Sequence, residues 1–151
     1  MGWSLADVET LTAHGRSPEQ ILPWVHPGAR LLVLTQDRDS PGEIAKLLAE
    51  RGYGASPMTV LAALGGPREQ RFDGKAENWG PEVPDFHTLA IECVAGQGAQ
   101  VWPRTGLPDE AFSHDGNFTK RAARALTLAK LVPLRGQMLW DIGAGCGSVG
   151  I

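Results

Sequence analysis

The residues best suited to chemistry form a glycine-rich turn near the end of the chain. An apolar segment ends at the acidic residue Asp141, and the turn at residues 143–147 follows almost directly. Glycine adopts positive φ angles at little cost, and bare backbone lets a ligand approach the amide groups closely. The pattern therefore predicts a strand whose carboxyl end holds a ligand against backbone.

Three interpretations of this turn remain open. Gly145, Gly147 and Gly150 form a GxGxxG pattern, which in an NAD site needs an acid about 20 residues further on. Alternatively, Asp141 followed by glycines at 143, 145 and 147 resembles the first motif of class I methyltransferases, which bind S-adenosylmethionine. An ordinary glycine turn after a strand is the third interpretation. The acid just before the turn favours the methyltransferase motif.

Two further segments are candidates for binding. His14 lies in a His-Gly-Arg sequence at the predicted carboxyl end of a strand, where α/β sheets place ligands. It is a candidate substrate-binding residue, and a hydrogen-bonded loop histidine is the alternative. Gly65, Gly66 and Pro67 are candidates for lining a cofactor cleft, or they form a plain hairpin turn. No side chain is a convincing catalytic acid or base, so none is assigned.

Basic residues gather between Asn117 and Trp140, where no acid occurs. They are Lys120, Arg121, Arg124, Lys130 and Arg135. The cluster fits either attraction of an acidic substrate or the solvated outer face of a helix. Because acids precede it closely and the net charge of the chain is −3, no nucleic-acid partner is expected.

Two capping boxes predict helices in the first part of the chain. Ser17 and Ser40 are each followed by proline and then by a glutamine or glutamate at the third position, which suits an N-cap. The first helix should be short because Pro23 interrupts it. The second should bury an apolar face and end at Gly52.

Short apolar segments between these helices predict strands, at residues 8–13, 31–35, 58–64 and 87–94. The run at 31–35 is apolar throughout, as in a parallel strand covered on both faces. Alternating strands and helices predict an α/β sheet. After a boundary near residues 101–106, we expect a helix over 119–132, stopped by Pro133, and a strand over 137–142.

Composition limits the class of protein. A chain of 151 residues that is 42% hydrophobic and 21% charged is expected to be globular rather than disordered. No apolar run reaches the 18 or so residues of a membrane span, so no membrane partner is expected. Cys93 and Cys146 lie far apart without CxxC spacing, which predicts a cytoplasmic protein without a disulfide scaffold or a metal site.

Several segments together resemble two known families. Residues 106–112, the Thr119-Lys120 pair and residues 141–147 resemble the start of the decarboxylating precorrin methyltransferase domain of cobalamin biosynthesis. Residues 2–4, 13–16, 33–35 and 64–69 resemble the second half of a tetrapyrrole methylase. The resemblance implies the C-terminal part of a tetrapyrrole methylase αβα domain over 1–104. A truncated Rossmann-like class I methyltransferase domain follows over 105–151.

The resemblance also implies a function. Such a parent enzyme, expected to be a homo-oligomer, methylates a precorrin at carbons 5 and 15 and removes a carboxyl group, with S-adenosylmethionine as cofactor. The implied cofactor-binding residues are Thr119, Asp141, Gly143, Ala144, Gly145, Cys146 and Gly147. As a fragment, the chain is expected to bind the cofactor weakly, to be inactive alone and to pack poorly after Gly106. An NAD-linked oxidoreductase fragment and a non-catalytic remnant are the alternatives.

Overall fold

The structure is a computed structural model that describes residues 2–101, 106–134 and 137–150. The chain divides into two compact units, Met1–Trp102 and Pro103–Ile151. Most of the boundary expected near residues 101–106 lies outside the described residues, as does Arg135 of the basic cluster. Within the described ranges, no helix has the length and hydrophobicity needed to cross a membrane.

The first unit contains a five-stranded mixed sheet, so the predicted α/β class is confirmed for this part of the chain. Its strands are β1 (Glu9–Thr12), β2 (Arg30–Leu34), β3 (Pro57–Ala62), β4 (Gln70–Lys75) and β5 (His87–Glu92). Their order in the sheet is β1-β2-β5-β3-β4. Only β1 and β2 pair in parallel, and the other three pairings are antiparallel.

The core of the first unit lies between one face of this sheet and helix α1 (Ser40–Glu50). Alternate residues of the three central strands face it, in a register that pairs Leu31 with Ile91 and Val60 with Leu89. The prediction that residues 31–35 are covered on both faces was wrong. Leu31 and Val33 are fully buried, whereas Leu34 on the opposite face is 45% exposed. The strand is therefore covered on one face.

Helix α1 begins one residue earlier than predicted. Its N-cap is Asp39, and Ser40 is the first helical residue. The carboxylate of Asp37 instead accepts hydrogen bonds from the backbone N–H of Ser40 at 3.1 Å and from its hydroxyl at 2.9 Å. These bonds lower the pKa of Asp37. The predicted stop is confirmed, because Gly52 follows the helix with φ +82°, where a Cβ would meet Ala99 Cα at 2.7 Å.

The first capping box forms a 3₁₀ helix, Pro18–Trp24, rather than an α-helix. Ser17 is its N-cap as predicted, but the Ser17 hydroxyl donates to the carboxylate of Glu19 instead of accepting from the backbone. Pro23 lies inside this helix, which ends at the next residue. The short, poorly capped turn agrees with the predicted effect of that proline.

Strand β4 was not predicted because its sequence is mostly polar. It pairs with β3 at the edge of the sheet, and four of its six residues are exposed. Asp73 on this strand accepts hydrogen bonds from the Thr59 hydroxyl at 2.7 Å and from Arg71 Nη2 at 2.8 Å. An edge strand with charged side chains lacks the apolar pattern by which buried strands are recognised.

The second unit contains helix α2 (Arg121–Leu131), a 3₁₀ turn (Asp109–Ala111) and irregular backbone in its described residues. The strand predicted at 137–142 is not formed there, and Met138 is 84% and Ile142 91% exposed. A strand needs a hydrogen-bonded neighbour, and the described residues of this unit supply none.

The apolar face predicted for α2 is also wrong. Its four residues, Ala122, Ala125, Leu126 and Ala129, are exposed. The buried residue of this helix is instead Arg124, a member of the basic cluster for which a solvated face was one of two interpretations. The helix starts two residues later than predicted and ends before Pro133, as expected.

Candidate functional site

The glycine-rich turn consists of two successive tight turns. Gly143, Gly145 and Gly147 have φ angles of +80°, +58° and +73°. The backbone N–H of Gly147 donates to the carbonyl of Ala144 at 2.9 Å, and that of Gly150 donates to the carbonyl of Gly147 at 3.0 Å. Three left-handed residues in one short segment explain why glycine occurs at every second position.

This turn is bordered by open space. A Cβ built on Gly143 or Gly145 would have no heavy atom within 4 Å. At Gly150, by contrast, a Cβ would lie 3.6 Å from the Asp141 carboxylate. The turn thus presents bare backbone beside a carboxylate, which is the surface expected for close approach of a ligand.

A cavity of about 360 Å³ lies beside the turn, within the size range of small-molecule sites. Residues 117–119 line it, together with Asp141, residues 143–145 and residues 148–149. The structure therefore brings Thr119 together with Asp141, Gly143, Ala144 and Gly145. Cys146 and Gly147 are not among the lining residues. Cys146 is half-buried, and Gly147 helps to shape the turn.

The other two candidates share one edge of the first unit's sheet. Because β1, β2 and β3 run in the same direction, His14 and the loop of residues 63–69 both follow carboxyl ends of strands at that edge. Three strand spacings separate β1 from β3, or about 14 Å. His14 is exposed, and its backbone N–H donates to Thr12 Oγ1 at 3.3 Å. Gly65, Gly66 and Pro67 lie in the hairpin loop between β3 and β4.

A buried polar pair at the same edge escaped the sequence analysis. The Thr35 hydroxyl lies 2.8 Å from His87 Nε2, and His87 Nδ1 lies 2.7 Å from the carbonyl of Pro84. Since a carbonyl only accepts, Nδ1 carries the proton, and in a neutral ring Nε2 accepts from the hydroxyl. The pair ties the end of β2 to the start of β5. The sequence signal was a polar residue at each strand end, without any indication that the two meet.

A second missed feature is an ion pair beside the cavity. Arg124 Nη1 donates to Asp109 Oδ1 at 2.6 Å, and the arginine side chain is only 2% exposed. This hydrogen bond is the main cause of the lowered pKa of Asp109. The 15-residue separation carries no helical or strand period, so spacing alone could not pair the two. Among the described residues, no group of three or more His, Cys, Asp or Glu side chains could hold a metal ion.

Known proteins resemble the whole chain. It is 44% identical over 153 aligned positions to precorrin-6Y C(5,15)-methyltransferase [decarboxylating] from a Sinorhizobium species. It is 40% identical over 155 positions to the protein of that name from Mycobacterium tuberculosis. Each match covers 100% of this chain but only 37% and 38% of the respective relative. The family model described as precorrin methyltransferase domain matches residues 110–151.

Two solved structures are also similar to the chain. Uroporphyrin-III-C-methyltransferase from Thermus thermophilus matches 56% of this chain and 37% of its own, with 25% identity and a TM-score of 0.42. Precorrin-6Y methylase of cobalamin biosynthesis from Archaeoglobus fulgidus matches 60% and 39%, with 18% identity and a TM-score of 0.39. The resemblance found in the sequence is confirmed by the curated relatives: over its whole length, the chain is similar to part of precorrin-6Y C(5,15)-methyltransferase (decarboxylating).

Proposed function

We propose that this chain is part of an S-adenosylmethionine-dependent methyltransferase that methylates a precorrin at carbons 5 and 15 and decarboxylates it in cobalamin biosynthesis. The observation that carries the proposal is the cavity on which Thr119 and the Asp141 turn converge. The 44% identity along the whole chain to a protein of that name supports it. Residues 1–104 would then belong to a tetrapyrrole methylase domain, and residues 105–151 to the start of a Rossmann-like domain.

The residues around the cavity fit the cofactor. The turn offers glycine backbone without side chains, as close approach requires, and Thr119 adds a residue with a hydroxyl to the lining. When bound, S-adenosylmethionine supplies an electrophilic methyl group. The contribution of this chain is to bind and orient, because methyl transfer depends chiefly on alignment with the accepting carbon. We assign no acid or base to any residue.

The first unit is proposed to face the substrate with the sheet edge that carries His14 and residues 63–69. Loops at the carboxyl ends of three codirectional strands are where open α/β sheets bind ligands. A cytoplasmic location and a homo-oligomeric parent enzyme remain predictions.

A titration with S-adenosylhomocysteine, the unreactive cofactor product, tests the proposal. Amide resonances of residues 118–119 and 143–147 should shift in ¹H–¹⁵N NMR spectra, with a dissociation constant of about 0.1–1 mM. Gly145→Val should abolish the shifts, because valine at φ +58° strains the turn by about 1–3 kcal/mol and fills its open side. Gly106→Val, at φ +69° in the same unit, is the matched control for strain. Shifts produced by NAD instead would assign the turn to an oxidoreductase.

Alkylation of the two cysteines gives an independent test. Burial raises the pKa of the Cys93 thiol to about 12, so Cys93 should remain unmodified by iodoacetamide at pH 8 and serves as an internal reference. The half-buried Cys146 should react. Saturating S-adenosylhomocysteine should slow that reaction at least about threefold, since the ligand would hold the turn in one conformation. Unchanged Cys146 reactivity would contradict the proposed position of the cofactor.

A further inference from the structure

Arg124 is the largest fully buried side chain in the described part of the second unit. Its guanidinium Nη1 donates to the Thr119 carbonyl at 2.7 Å as well as to Asp109 Oδ1, and Nη2 donates to the Leu107 carbonyl at 2.5 Å. One planar group thus fixes two backbone carbonyls and a carboxylate at once. Lysine could not reproduce this fork of donors.

Aromatic rings complete the surroundings of the guanidinium. Its central carbon lies 4.7 Å from the ring centre of Phe112 and 5.6 Å from that of Phe118. The Asp109 carboxylate also accepts a hydrogen bond from the backbone N–H of Arg121 at 2.9 Å, at the start of α2. The Arg124 side chain therefore contacts both ends of the segment from Leu107 to Thr119.

Two residues contacted in this way, Phe118 and Thr119, also line the cavity beside the glycine turn. The guanidinium does not line that cavity itself. It acts on the cavity wall through the Thr119 carbonyl and the Phe118 ring. A shift of the Thr119 backbone would move its hydroxyl relative to residues 143–145.

We propose that Arg124, held by Asp109, is the positioning residue of the proposed cofactor site: it fixes residues 118–119 in the lining of the cavity beside the glycine turn. This inference rests on the proposed cofactor function of that turn. The distinguishing feature is that one buried cation binds the backbone of a pocket-lining residue directly. An arginine that served only to stabilise the unit would have no such effect on ligand affinity.

The test compares Arg124→Lys with Leu128→Ala, a truncation four residues further along the same helix that leaves the contacts of Arg124 in place. Without ligand, Arg124→Lys should shift the amide resonances of Phe118 and Thr119 while those of residues 126–130 remain helical. With S-adenosylhomocysteine, affinity corrected for the folded fraction should fall about five- to tenfold, as the net loss of about one ordinary hydrogen bond predicts. Leu128→Ala should change it less than about twofold.

Equal loss of affinity in the two variants, or unmoved resonances at 118–119 in Arg124→Lys, would overturn the inference. If Arg124→Lys does not fold, Asp109→Asn decides, because it keeps a hydrogen-bond acceptor while removing the charge that holds the guanidinium. It should show the same local shifts and the same selective loss of affinity. If the unsubstituted chain binds no S-adenosylhomocysteine, the cofactor function fails, and the ligand-free spectra still decide whether Arg124 sets the position of residues 118–119.

Discussion

The two units of this chain are stabilised by different means. In the first, a mixed sheet buries Leu31, Val33, Leu89 and other apolar side chains completely against α1. In the described part of the second, the largest buried side chain is Arg124, while Leu126 and other large apolar residues are exposed. An apolar core gains stability from every buried group, whereas a buried ion pair barely exceeds the cost of its own desolvation.

This difference predicts which unit is stable by itself. The first unit has hydrogen-bonded strands and an apolar core of fully buried side chains. The second is organised around one polar cluster, and its apolar residues near Trp140 contribute little because they remain in water. Its structure should be locally ordered at Arg124 and loosely held elsewhere.

Amide hydrogen exchange should show the largest contrast. Residues 31–34 lie on β2, which pairs with a strand on each side, so their amides should exchange on the order of a thousandfold more slowly than in an unfolded chain. Residues 139–142 are exposed and form no strand, so theirs should exchange within about tenfold of the unfolded rate. Mass spectrometry of peptides from the two segments measures both. Equal protection would refute the difference between the units.

Truncation of one leucine in each unit should give the next largest contrast. Leu89→Ala removes a fully buried side chain from the first core and should lower the free energy of unfolding by about 2–5 kcal/mol. Leu139→Ala removes a side chain that is 49% exposed and should change it by less than about 0.5 kcal/mol. Urea denaturation followed by circular dichroism measures both values. A cost above about 2 kcal/mol for Leu139→Ala would show that the second unit has an apolar core after all.

The same contrast between the units explains which helices and strands could be predicted from the sequence. The apolar strands and α1 of the first unit were predicted because periodic burial leaves a pattern in the sequence. β4 was missed because it is a polar edge strand. The strand at 137–142 was predicted from its apolar residues, but a strand also needs a partner, which sequence pattern alone cannot supply.

The candidate site likewise contains features that could be predicted from the sequence and features that could not. The glycine positions of the turn could be predicted, because few residues other than glycine adopt the positive φ angles that the turn requires. Thr119, which lines the same cavity, was predicted from the family resemblance alone. The Arg124–Asp109 pair could not be found, because its members are joined by irregular backbone whose path no local pattern specifies.

Acid should disturb the second unit before the first. Arg38 lowers the pKa of Asp85 to about 2, and Arg124 lowers that of Asp109. Both carboxyls have an unfolded pKa near 3.9. Each ion pair therefore contributes its full stabilisation of the folded state above about pH 4, and this contribution is lost as pH falls through the lower, folded pKa. The Arg38–Asp85 pair is well exposed and contributes little, whereas protonated Asp109 leaves the buried Arg124 unpaired.

An NMR titration from pH 5 to about pH 2 measures this difference, since it runs from above the unfolded carboxyl pKa down to the folded pKa of Asp85. Resonances of α2 should lose dispersion while those of β2 and β5 stay in place. Asp109→Asn keeps an acceptor for the guanidinium, so at neutral pH it should show only the local shifts at residues 118–119 and leave α2 folded. Loss of both units at the same pH would count against an independent polar cluster.

The smallest expected effect concerns the two non-glycine residues that have positive φ within residues 2–101, 106–134 and 137–150, one in each unit. Val132 ends α2 at φ +45° and is 61% exposed, so its strained backbone gains little from side-chain burial. Val132→Gly should stabilise the second unit by about 1 kcal/mol. This value is the backbone strain that is relieved minus the cost of the greater conformational entropy of glycine in the unfolded chain. Ala63→Gly, at φ +49° in the first unit, should gain less than about 0.5 kcal/mol because alanine is not β-branched. Thermal denaturation of both variants tests the pair, and a larger gain for Ala63→Gly would mean that Val132 is held by contacts rather than strained.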